Sequence, residues 1–560
     1  MSLSRTHEFP WFDTLTLEER AALLPDAPDH ELSAANRDLE DRWRSLPPFR
    51  DPEVFSHRMA TDRLDDDKLR AAIGLQPEAA ALRRPSWVET LDRALGQELR
   101  VPDIDVHDVD RAFDSVRFLP LVEPLIHDAV DRLRRAIDER IAGSPIAHLD
   151  SDSVAKLLVP ALPGRLVMLI RRVLILELNV ARLEGTLEGE SPEERFEDFV
   201  ARLGRPEEQR RLFTEYPVLA RQITLRIGQW VEAGLEFVSH LRDDWGDLCA
   251  RWGDGRSLGA LTEARASLGD SHRGGRTVMR VAFDSGLELI YKPRSLATEV
   301  HFNALLEWLN QAGFRPEFRT LQVLDRGDHG WVEKVEIGPC ENAAQVERFY
   351  RRHGALCALL FVLNANDVHF ENILASGEHP VLVDMETLFL PRITGQPAGS
   401  ELTFLEQMKR SVLASGLLPR KGRLSSGEGV SDLSGMADIA GQKTWAPMLV
   451  PVDQGTDVMR FSECFEDMPG GDNTPSVDGR PILASHHADE VLQGFELAYR
   501  LMLENRRGLL AAEGPIEAFA EAEIRLVFRP TRVYASLLFE SFHPDVLRNA
   551  LERDMLFDHL

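Results

Sequence analysis

Cysteine is scarce in this sequence, and the cysteines that do occur lie far apart. Among 560 residues there are four, with no Cys-X-X-Cys pair and no Cys/His spacing suited to a metal: Cys249, Cys340, Cys357 and Cys464. A zinc knuckle and a disulfide framework are therefore not expected, and we expect no zinc in this chain. Reduced thiols are typical of the cytoplasm, which is the location that this composition predicts.

Positive charge is also in short supply. The chain has 65 lysines and arginines against 92 aspartates and glutamates, so its formal net charge is −27. This balance opposes non-specific binding to nucleic acid and to anionic membranes, and it suits a basic or cation-bridged partner. We expect no nucleic-acid partner.

Long apolar runs are missing as well. The N-terminal sequence MSLSRTHEFPWFDTLTLEER has no basic start followed by an apolar stretch. The most apolar later window, LVPALPGRLVMLIRRVLILELNV, is interrupted by Arg165, Arg171 and Arg172. The sequence thus predicts neither a signal peptide nor a membrane span.

The length of the chain predicts two to four domains of roughly 100 to 200 residues each. Residues 1–250 repeat apolar positions at intervals of three and four, which predicts a mainly α-helical N-terminal region. Residues 251–342 change to short β-type runs separated by glycine-rich turns. Residues 343–560 mix helices with loops rich in glycine and serine.

The middle segment is predicted to form a small α+β lobe. Its runs TVMRVAF and LELIYK, separated by an Asp-Ser-Gly turn, predict a β-hairpin. A helix is predicted in ATEVHFNALLEWLNQAG, followed by strands in TLQVLDRG and GWVEKVEIG. The order strand, strand, helix, strand, strand is that of an α+β unit.

Two clusters of polar and charged residues follow, on either side of a short apolar run. The first contains Asp367, His369 and Asn372, and the second contains Asp384 and Glu386. Mg²⁺ prefers oxygen ligands and usually takes one or two carboxylates together with substrate phosphates. In protein kinases one loop supplies a catalytic Asp and a metal-binding Asn, and a later segment supplies the metal-binding Asp. Asn372 and Asp384 fit the metal roles, whereas Asp367 and His369 fit the side of the reacting hydroxyl and phosphate.

A phosphotransferase of this kind also needs a cation that holds the phosphates of ATP. Lys292, at the end of LELIYK, is placed for that role. A helical carboxylate can orient such a lysine; Glu299 is the first candidate and Glu307 a weaker one. Taken singly, Lys292 reads more readily as a solvated strand end, and Asp384 and Glu386 read more readily as ordinary loop acids. Their order along the chain carries the interpretation.

At these residues the sequence resembles the dehydratase region of the class II lanthipeptide synthetases, the LanM family, whose fold is similar to that of lipid kinases. The matching stretches, in chain order, are GDSHRGGRTV, LIYKPRS, NANDVHFENIL, PVLVDMETLF, SVLASGLLP and IRLVFRPTRVYASLL. The resemblance implies an α+β, kinase-like core of two lobes, with residues 251–342 as the N-lobe and residues 343–560 as the C-lobe. The helical region of residues 1–250 would lie on the activation and leader-peptide side.

The resemblance also implies a chemistry. Enzymes of this family use ATP and Mg²⁺ to phosphorylate Ser and Thr of a ribosomally made precursor peptide, and then eliminate the phosphate to give dehydroalanine or dehydrobutyrine. The phosphorylation site would comprise Lys292, Asp367, His369, Asn372, Asp384 and Glu386, with Asn372, Asp384 and Glu386 on the metal and Glu299 beside Lys292. The elimination machinery would comprise Asp270, His272, Arg525 and Thr531.

Elementary chemistry agrees with the elimination set. Removing a phosphate β to a carbonyl requires a base near the α-proton and donors on the leaving group. Arg525 offers a guanidinium fork, Thr531 offers a hydroxyl, and His272 or Lys292 offers a proton acceptor. Apart from the family, IRLVFRPTRVY also reads as a strand with alternating arginines, and LGDSHRGG as a polar turn.

Full-length members of the family continue into a cyclase domain with a zinc site of Cys and His ligands. This sequence has no cysteine after Cys464, so we expect the dehydratase region only, working with a separate cyclase or as part of a longer synthetase. Three functions stay open at this point: a peptide dehydratase, a kinase-like phosphotransferase without elimination, and a truncated non-catalytic binder of the precursor peptide. The presence of His272, Arg525 and Thr531 favours the first.

Overall fold

The structure is a computed structural model that describes most of the chain. The described residues are 9–24, 34–76, 84–96, 114–141, 149–266, 274–391, 407–408, 410–420, 422–423, 430–444, 446–528 and 531–559. Helices and strands both contribute, so the described chain is a mixed α and β structure.

Up to Trp252 the described chain is helical and contains no strand, as the apolar periodicity predicted. Proline opens several of these helices, and at the start of the helix Pro192–Leu203 the residues Ser191 and Glu194 form reciprocal cap bonds. The helices are α1 (Leu17–Ala21), α2 (Ala34–Arg44), α3 (Pro52–Thr61), α4 (Asp66–Gly74), α5 (Ser86–Gly96), α6 (Glu123–Ile141), α7 (Ser151–Leu158), α8 (Ala161–Leu183), α9 (Pro192–Leu203), α10 (Pro206–Glu215) and α11 (Pro217–Trp252).

The 36-residue helix α11 joins the helical region to the first sheet. Its Phe237 ring lies 5.3 Å from the ring of Tyr291 and 6.3 Å from that of Trp331, both of which belong to the sheet. One continuous apolar core therefore runs from the helical region into the sheet.

The sheet has five antiparallel strands in the order β1-β2-β3-β5-β4, with α12 (Ala297–Gln311) between β3 and β4 in sequence. The strands are β1 (Leu261–Ala266), β2 (Met279–Phe283), β3 (Glu288–Lys292), β4 (Val323–Asp325) and β5 (Gly330–Glu333). The β2–β3 hairpin, α12 and the last two strands confirm the predicted elements, whereas β1 was not predicted.

The alternation of side chains along β3 positions the candidate site. Leu289 and Tyr291 are buried in the core shared with α11. Because successive side chains of a strand point to opposite faces, Lys292 faces away from α11. A shift of one residue in the pairing of β3 would exchange these two faces.

Beyond the sheet, the helices Ala343–Val362 and Ala488–Glu504 form a second core with α12. The helices here are α13 (Ala343–Val362), α14 (Ala488–Glu504), α15 (Arg506–Leu509), α16 (Thr531–Glu540) and α17 (Ala550–Phe557). The strands form two-stranded ribbons: β6 (Ile373–Ser376) with β7 (His379–Leu382), β8 (Gly422–Arg423) with β9 (Val430–Ser431), β10 (Met448–Val452) with β11 (Arg460–Cys464), and β12 (Ser476–Val477) with β13 (Arg480–Pro481).

The C-terminal part departs from one prediction. Residues 524–528 belong to no strand and Thr531 begins α16, so the reading of IRLVFRPTRVY as one strand is wrong. The last helix returns to the N-terminal region, where Trp43 Nε1 donates to Asp558 Oδ2 at 2.8 Å.

Among the described helices, none taken alone has the length and apolarity that a membrane crossing needs. The bent pair α7 and α8 meets that test by length and composition only.

Candidate active site

Lys292 ends β3 and is buried, with 7 % of its surface exposed. Its Nζ donates to the backbone oxygen of Val383 at 2.6 Å and lies 3.2 Å from Glu299 Oε1. The lysine thus connects the five-stranded sheet with the end of the β6–β7 ribbon, one residue before Asp384.

Glu299 lies in the first turn of α12 and is 2 % exposed. Its carboxylate accepts hydrogen bonds from Lys292, from the Arg294 guanidinium at 2.7 Å and from Thr298 Oγ1 at 2.9 Å. Burial acts to raise the pKa of Glu299, but the charges of Lys292 and Arg294 outweigh it and lower the pKa to about 2. Glu299 is therefore ionised near neutral pH and holds Lys292 in place.

Asp367 lies in a strained loop between α13 and β6. Its φ of 62° is in the left-handed region, which aspartate adopts more readily than most residues and which is common at functional sites. The loop is held by two hydrogen bonds: Asp367 N donates to Asn366 Oδ1 at 2.8 Å, and Val368 N donates to Ser415 O at 2.8 Å.

His369 begins the short 3₁₀ turn Phe370–Asn372. Its Nδ1 accepts from the backbone N–H of Glu371 at 3.4 Å, and 35 % of its side chain is exposed. The backbone N–H of Phe370 donates to Leu433 O at 3.2 Å, which ties this turn to the later loop. His369 thus lies two residues from Asp367 with part of its ring open to solvent.

Asn372 and Asp384 lie at adjacent ends of β6 and β7. Val383 N donates to Asn372 O at 3.0 Å, which continues the β6–β7 pairing by one step. The amide Nδ2 of Asn372 donates to Asp367 O at 2.9 Å, so its oxygen is left for another partner. The side chain of Asp384 is 41 % exposed. An amide oxygen and a carboxylate from neighbouring segments are a donor set that fits Mg²⁺.

Arg294 contacts three carboxylates in this region, and it was not among the predicted site residues. Its Nε lies 2.5 Å from Glu386 Oε1, and its Nη2 lies 2.7 Å from Glu299 Oε1 and 3.4 Å from Asp384 Oδ1. Burial acts to lower the pKa of Arg294, but the charges of Glu299, Glu386 and Asp384 raise it. Its place in the motif YKPRS, two residues beyond Lys292, is the signal that could have identified it.

Arg525 lies beside the same acidic group although it comes from a distant segment. Its backbone N–H donates to Glu386 O at 2.7 Å, and its guanidinium Nη1 lies 3.7 Å from Glu386 Oε2. The side chain of Arg525 is 46 % exposed. Glu386 therefore has one oxygen near Arg294 and the other near Arg525.

Of the other residues predicted for elimination, the structure describes one, Thr531. Thr531 is exposed at the start of α16, six residues after Arg525. Asp270 and His272 lie outside the described residues. The chain on either side of that segment, at Ala266 and Gly274, belongs to the end of β1 and to the turn before β2.

A second polar cluster lies on the other face of β3. The His240 and His329 rings stack at 3.5 Å and 3°, and His240 Nδ1 is 2.8 Å from Tyr291 Oη. His329 lies between Asp244 at 2.8 Å and Asp328 at 2.7 Å. Burial acts to lower the pKa of His329, but these two acids raise it. His240 and Asp244 belong to α11, so the cluster joins this helix to the sheet.

Comparison with known proteins places this chain in a family. Residues 216–560 match the family described as a domain of unknown function, DUF4135, and the chain belongs to that family. It is also 25 % identical over 415 residues to the lacticin 481/lactococcin biosynthesis protein LcnDR2 of Lactococcus lactis subsp. lactis. This similarity confirms the resemblance to the class II lanthipeptide synthetases. The match covers 70 % of this chain and 42 % of the relative, so the chain spans less than half of the relative's length.

Proposed function

We propose that this chain is a lanthipeptide dehydratase that uses ATP and Mg²⁺ to phosphorylate Ser and Thr of a ribosomal precursor peptide and then eliminates the phosphate. The five-stranded sheet with α12 would be the N-lobe of a kinase-like core, and the part from α13 onward would be the C-lobe. The observation that carries the proposal is the buried pair Lys292 and Glu299, which is joined through Val383 to the segments of Asn372 and Asp384.

The chain's own residues account for phosphoryl transfer. Lys292 Nζ donates to the backbone oxygen of Val383, one residue before Asp384, and would hold the phosphates of ATP, while Glu299 would keep its ammonium in position. Asp367 would accept the proton of the peptide hydroxyl. As the hydroxyl oxygen bonds to the γ-phosphorus, the bond from that phosphorus to the oxygen of the leaving ADP breaks. Asn372 and Asp384 would hold Mg²⁺, which would supply positive charge against the developing phosphate charge.

Elimination requires a different set of groups on the transferred phosphate. A base, His272 or Lys292, would remove the α-proton of the phosphorylated residue, and its electron pair would form the Cα=Cβ bond as the Cβ–O bond breaks. The departing phosphate carries the negative charge, so a guanidinium is the group that would stabilise it best. Arg525 lies against Glu386, which we assign to the phosphorylation site. This position supports the assignment of Arg525 to elimination, because the phosphorylated peptide would not need to move to a second site.

The net negative charge of the chain bears on its partner. A formal net charge of −27 favours a substrate with basic segments over an acidic one. The partner of the proposed reaction is a ribosomal precursor peptide with a leader and a Ser/Thr-rich core.

The test uses the full chain with ATP, Mg²⁺ and a leader-bearing, Ser/Thr-rich precursor peptide, followed by intact-mass spectrometry. Loss of water from the peptide supports a dehydratase, gain of phosphate alone supports a plain kinase, and an unchanged mass supports a non-catalytic binder. Asp384→Asn and Asn372→Ala should abolish both mass changes, because each removes a metal ligand. The matched control is Asp467→Asn, since Asp467 is exposed and pairs with Lys443, which is not a residue of the candidate site.

A further inference from the structure

Arg294 forms a bridge between two parts of the candidate site. It contacts Glu299 of α12 on one side and the loop of Asp384 and Glu386 on the other. Four fifths of its side chain is buried, and the pairing with Glu299 is two-pronged, with contacts of 2.7 and 3.2 Å. A guanidinium suits this place because its planar fork can pair with Glu299 at two points and still offer N–H groups to the other carboxylates.

The three contacts of Arg294 are not equivalent. Those to Glu386 at 2.5 Å and to Glu299 at 2.7 Å are short, charge-assisted contacts. The contact to Asp384 is 3.4 Å long, and Asp384 is the most exposed of the three acids. Asp384 is therefore the carboxylate that the guanidinium holds most weakly.

The charges of the site balance as a whole but are unevenly distributed. Lys292, Arg294 and Arg525 carry three positive charges, and Glu299, Asp384 and Glu386 carry three negative ones. Glu299 lies between Lys292 and Arg294, and Glu386 lies between Arg294 and Arg525, whereas the ion pair of Asp384 in the described part of the chain is its 3.4 Å contact with Arg294, so Asp384 is the acid left with the least compensation. A divalent cation would gain most by binding there.

We propose that Arg294 is a positioning residue that anchors on Glu299 and Glu386 and shares Asp384 with the metal ion. In this arrangement Glu386 binds arginines, Arg294 through Oε1 and Arg525 through Oε2, and Asp384 is the carboxylate that passes to Mg²⁺. Arg294 then limits the affinity of Asp384 for the cation and holds the carboxylates of Glu299 and Glu386 in position. The inference rests on the proposed function in one respect, the assignment of Asp384 as a metal ligand.

A purely structural role for Arg294 makes a different prediction. If the guanidinium only joined α12 to the loop of Asp384, its loss would lower the stability and leave the metal affinity unchanged or reduced. If it competes with the metal for Asp384, its loss raises the metal affinity. The measured quantity is therefore the binding of a cation by the free protein, without reference to turnover.

The experiment is a titration of the full chain with Mn²⁺ alone, followed by calorimetry and by the electron paramagnetic resonance signal of free Mn²⁺. We expect Arg294→Gln to bind Mn²⁺ roughly tenfold more tightly, because a unit charge close to a divalent cation is removed. Arg294→Lys keeps the charge, so its affinity for Mn²⁺ should stay within about threefold of that of the unsubstituted chain. The control Arg280→Gln removes an arginine of the five-stranded sheet that pairs with Glu263, and it should leave the affinity for Mn²⁺ unchanged.

The outcomes separate this inference from the proposed function. Equal affinities, weaker binding by Arg294→Gln, or no binding by either protein would overturn the role of Arg294. The double variant Arg294→Gln/Asp384→Asn should lose the tighter Mn²⁺ binding of Arg294→Gln. If the tighter binding persists in the double variant, Asp384 is not the ligand, and it is the metal assignment of the proposed function that fails. Thermal unfolding of each variant, recorded in parallel, separates a change in affinity from a failure to fold.

Discussion

Arg525 and Glu386 are 139 residues apart in sequence, yet the backbone N–H of Arg525 donates to the Glu386 carbonyl at 2.7 Å and the two side chains approach to 3.7 Å. A residue expected to act on the leaving phosphate thus adjoins a residue expected at the site of its transfer. This contact brings the two halves of the proposed reaction into one place.

Arg525→Ala should separate the two steps. The ligands for ATP and metal come from other segments, so phosphorylation should change little, while the loss of a charge-assisted donor at a departing anion should slow elimination by roughly a hundred- to a thousandfold. Phosphopeptide should accumulate in the intact-mass spectrum. Arg507→Ala, at an exposed arginine of α15, is the control. Equal loss of both steps, with no phosphopeptide at any time, would make Arg525 a structural arginine.

Glu299→Gln should impair ATP use and weaken the pH dependence of stability in acid. The buried carboxylate has a pKa of about 2 in the folded protein against an ordinary value of 4.5. A depressed carboxyl pKa stabilises the fold above the ordinary value, and this contribution is lost as the pH falls from about 4.5 toward 2. The variant should therefore unfold with a weaker pH dependence in that window.

The same substitution displaces Lys292, and a catalytic group that is misplaced by about 1 Å can cost roughly a hundredfold in rate. ATP consumption by the variant measures this effect. The matched control is Glu307→Gln, an exposed acid on the same helix, for which we expect activity and unfolding like those of the unsubstituted chain. Identical behaviour of the two variants would remove Glu299 from the site.

Helices α13 and α14 should tolerate no added methyl group at their crossing. A Cβ at Gly354 would lie 1.8 Å from Val491 O, and a Cβ at Gly494 would lie 1.8 Å from Arg351 O. Because backbone atoms cannot move aside cheaply, Gly354→Ala should lower the free energy of unfolding by about 3 kcal/mol. Gly228→Ala in α11 meets nothing within 4 Å and should stabilise by about 0.5–1 kcal/mol. Urea denaturation measures both, and equal effects would contradict this packing.

His353 should make the fold sensitive to acid. It is 1 % exposed, its two ring nitrogens have no hydrogen-bond partner among the described residues, and burial lowers its pKa to about 3. A depressed histidine pKa means that the unfolded chain takes up a proton first, so stability falls as the pH drops from about 6.5 toward 3. In this window His353→Leu should remove a slope of up to about 1.4 kcal/mol per pH unit. Urea midpoints at pH 7.5 and 5.0 measure it, with exposed His57→Leu as the control.

The elements around the site could be predicted where local pattern and tertiary structure agree. The hairpin β2–β3 has alternating apolar residues and a turn between them, and α12 has a clear helical period. The prediction that Glu299 orients Lys292 depends on a separation of only seven residues, which local structure largely determines. The contact between the two side chains is present at 3.2 Å.

Other features depend on contacts that no local pattern contains. Strand β1 has the sequence LTEARA, whose residues mostly favour helix, and its conformation is set by pairing with β2. Arg294 meets Asp384 across 90 residues of sequence, so only the arrangement of the sheet against the β6–β7 ribbon brings them together. The segment before α16 has alternating apolar residues but no strand beside it among the described residues, which is why the strand reading failed.

The central claim, that one chain first phosphorylates and then eliminates, is tested most directly by a time course of intact peptide mass. The unsubstituted chain, ATP, Mg²⁺ and a leader-bearing, Ser/Thr-rich precursor are mixed, and samples are quenched from the earliest accessible time onward. The account predicts that phosphopeptide rises and decays while the peptide that has lost water accumulates, and that addition of the chain to purified phosphopeptide gives the same product. A stable phosphopeptide that never loses phosphate, in the presence of the intact chain, would contradict it.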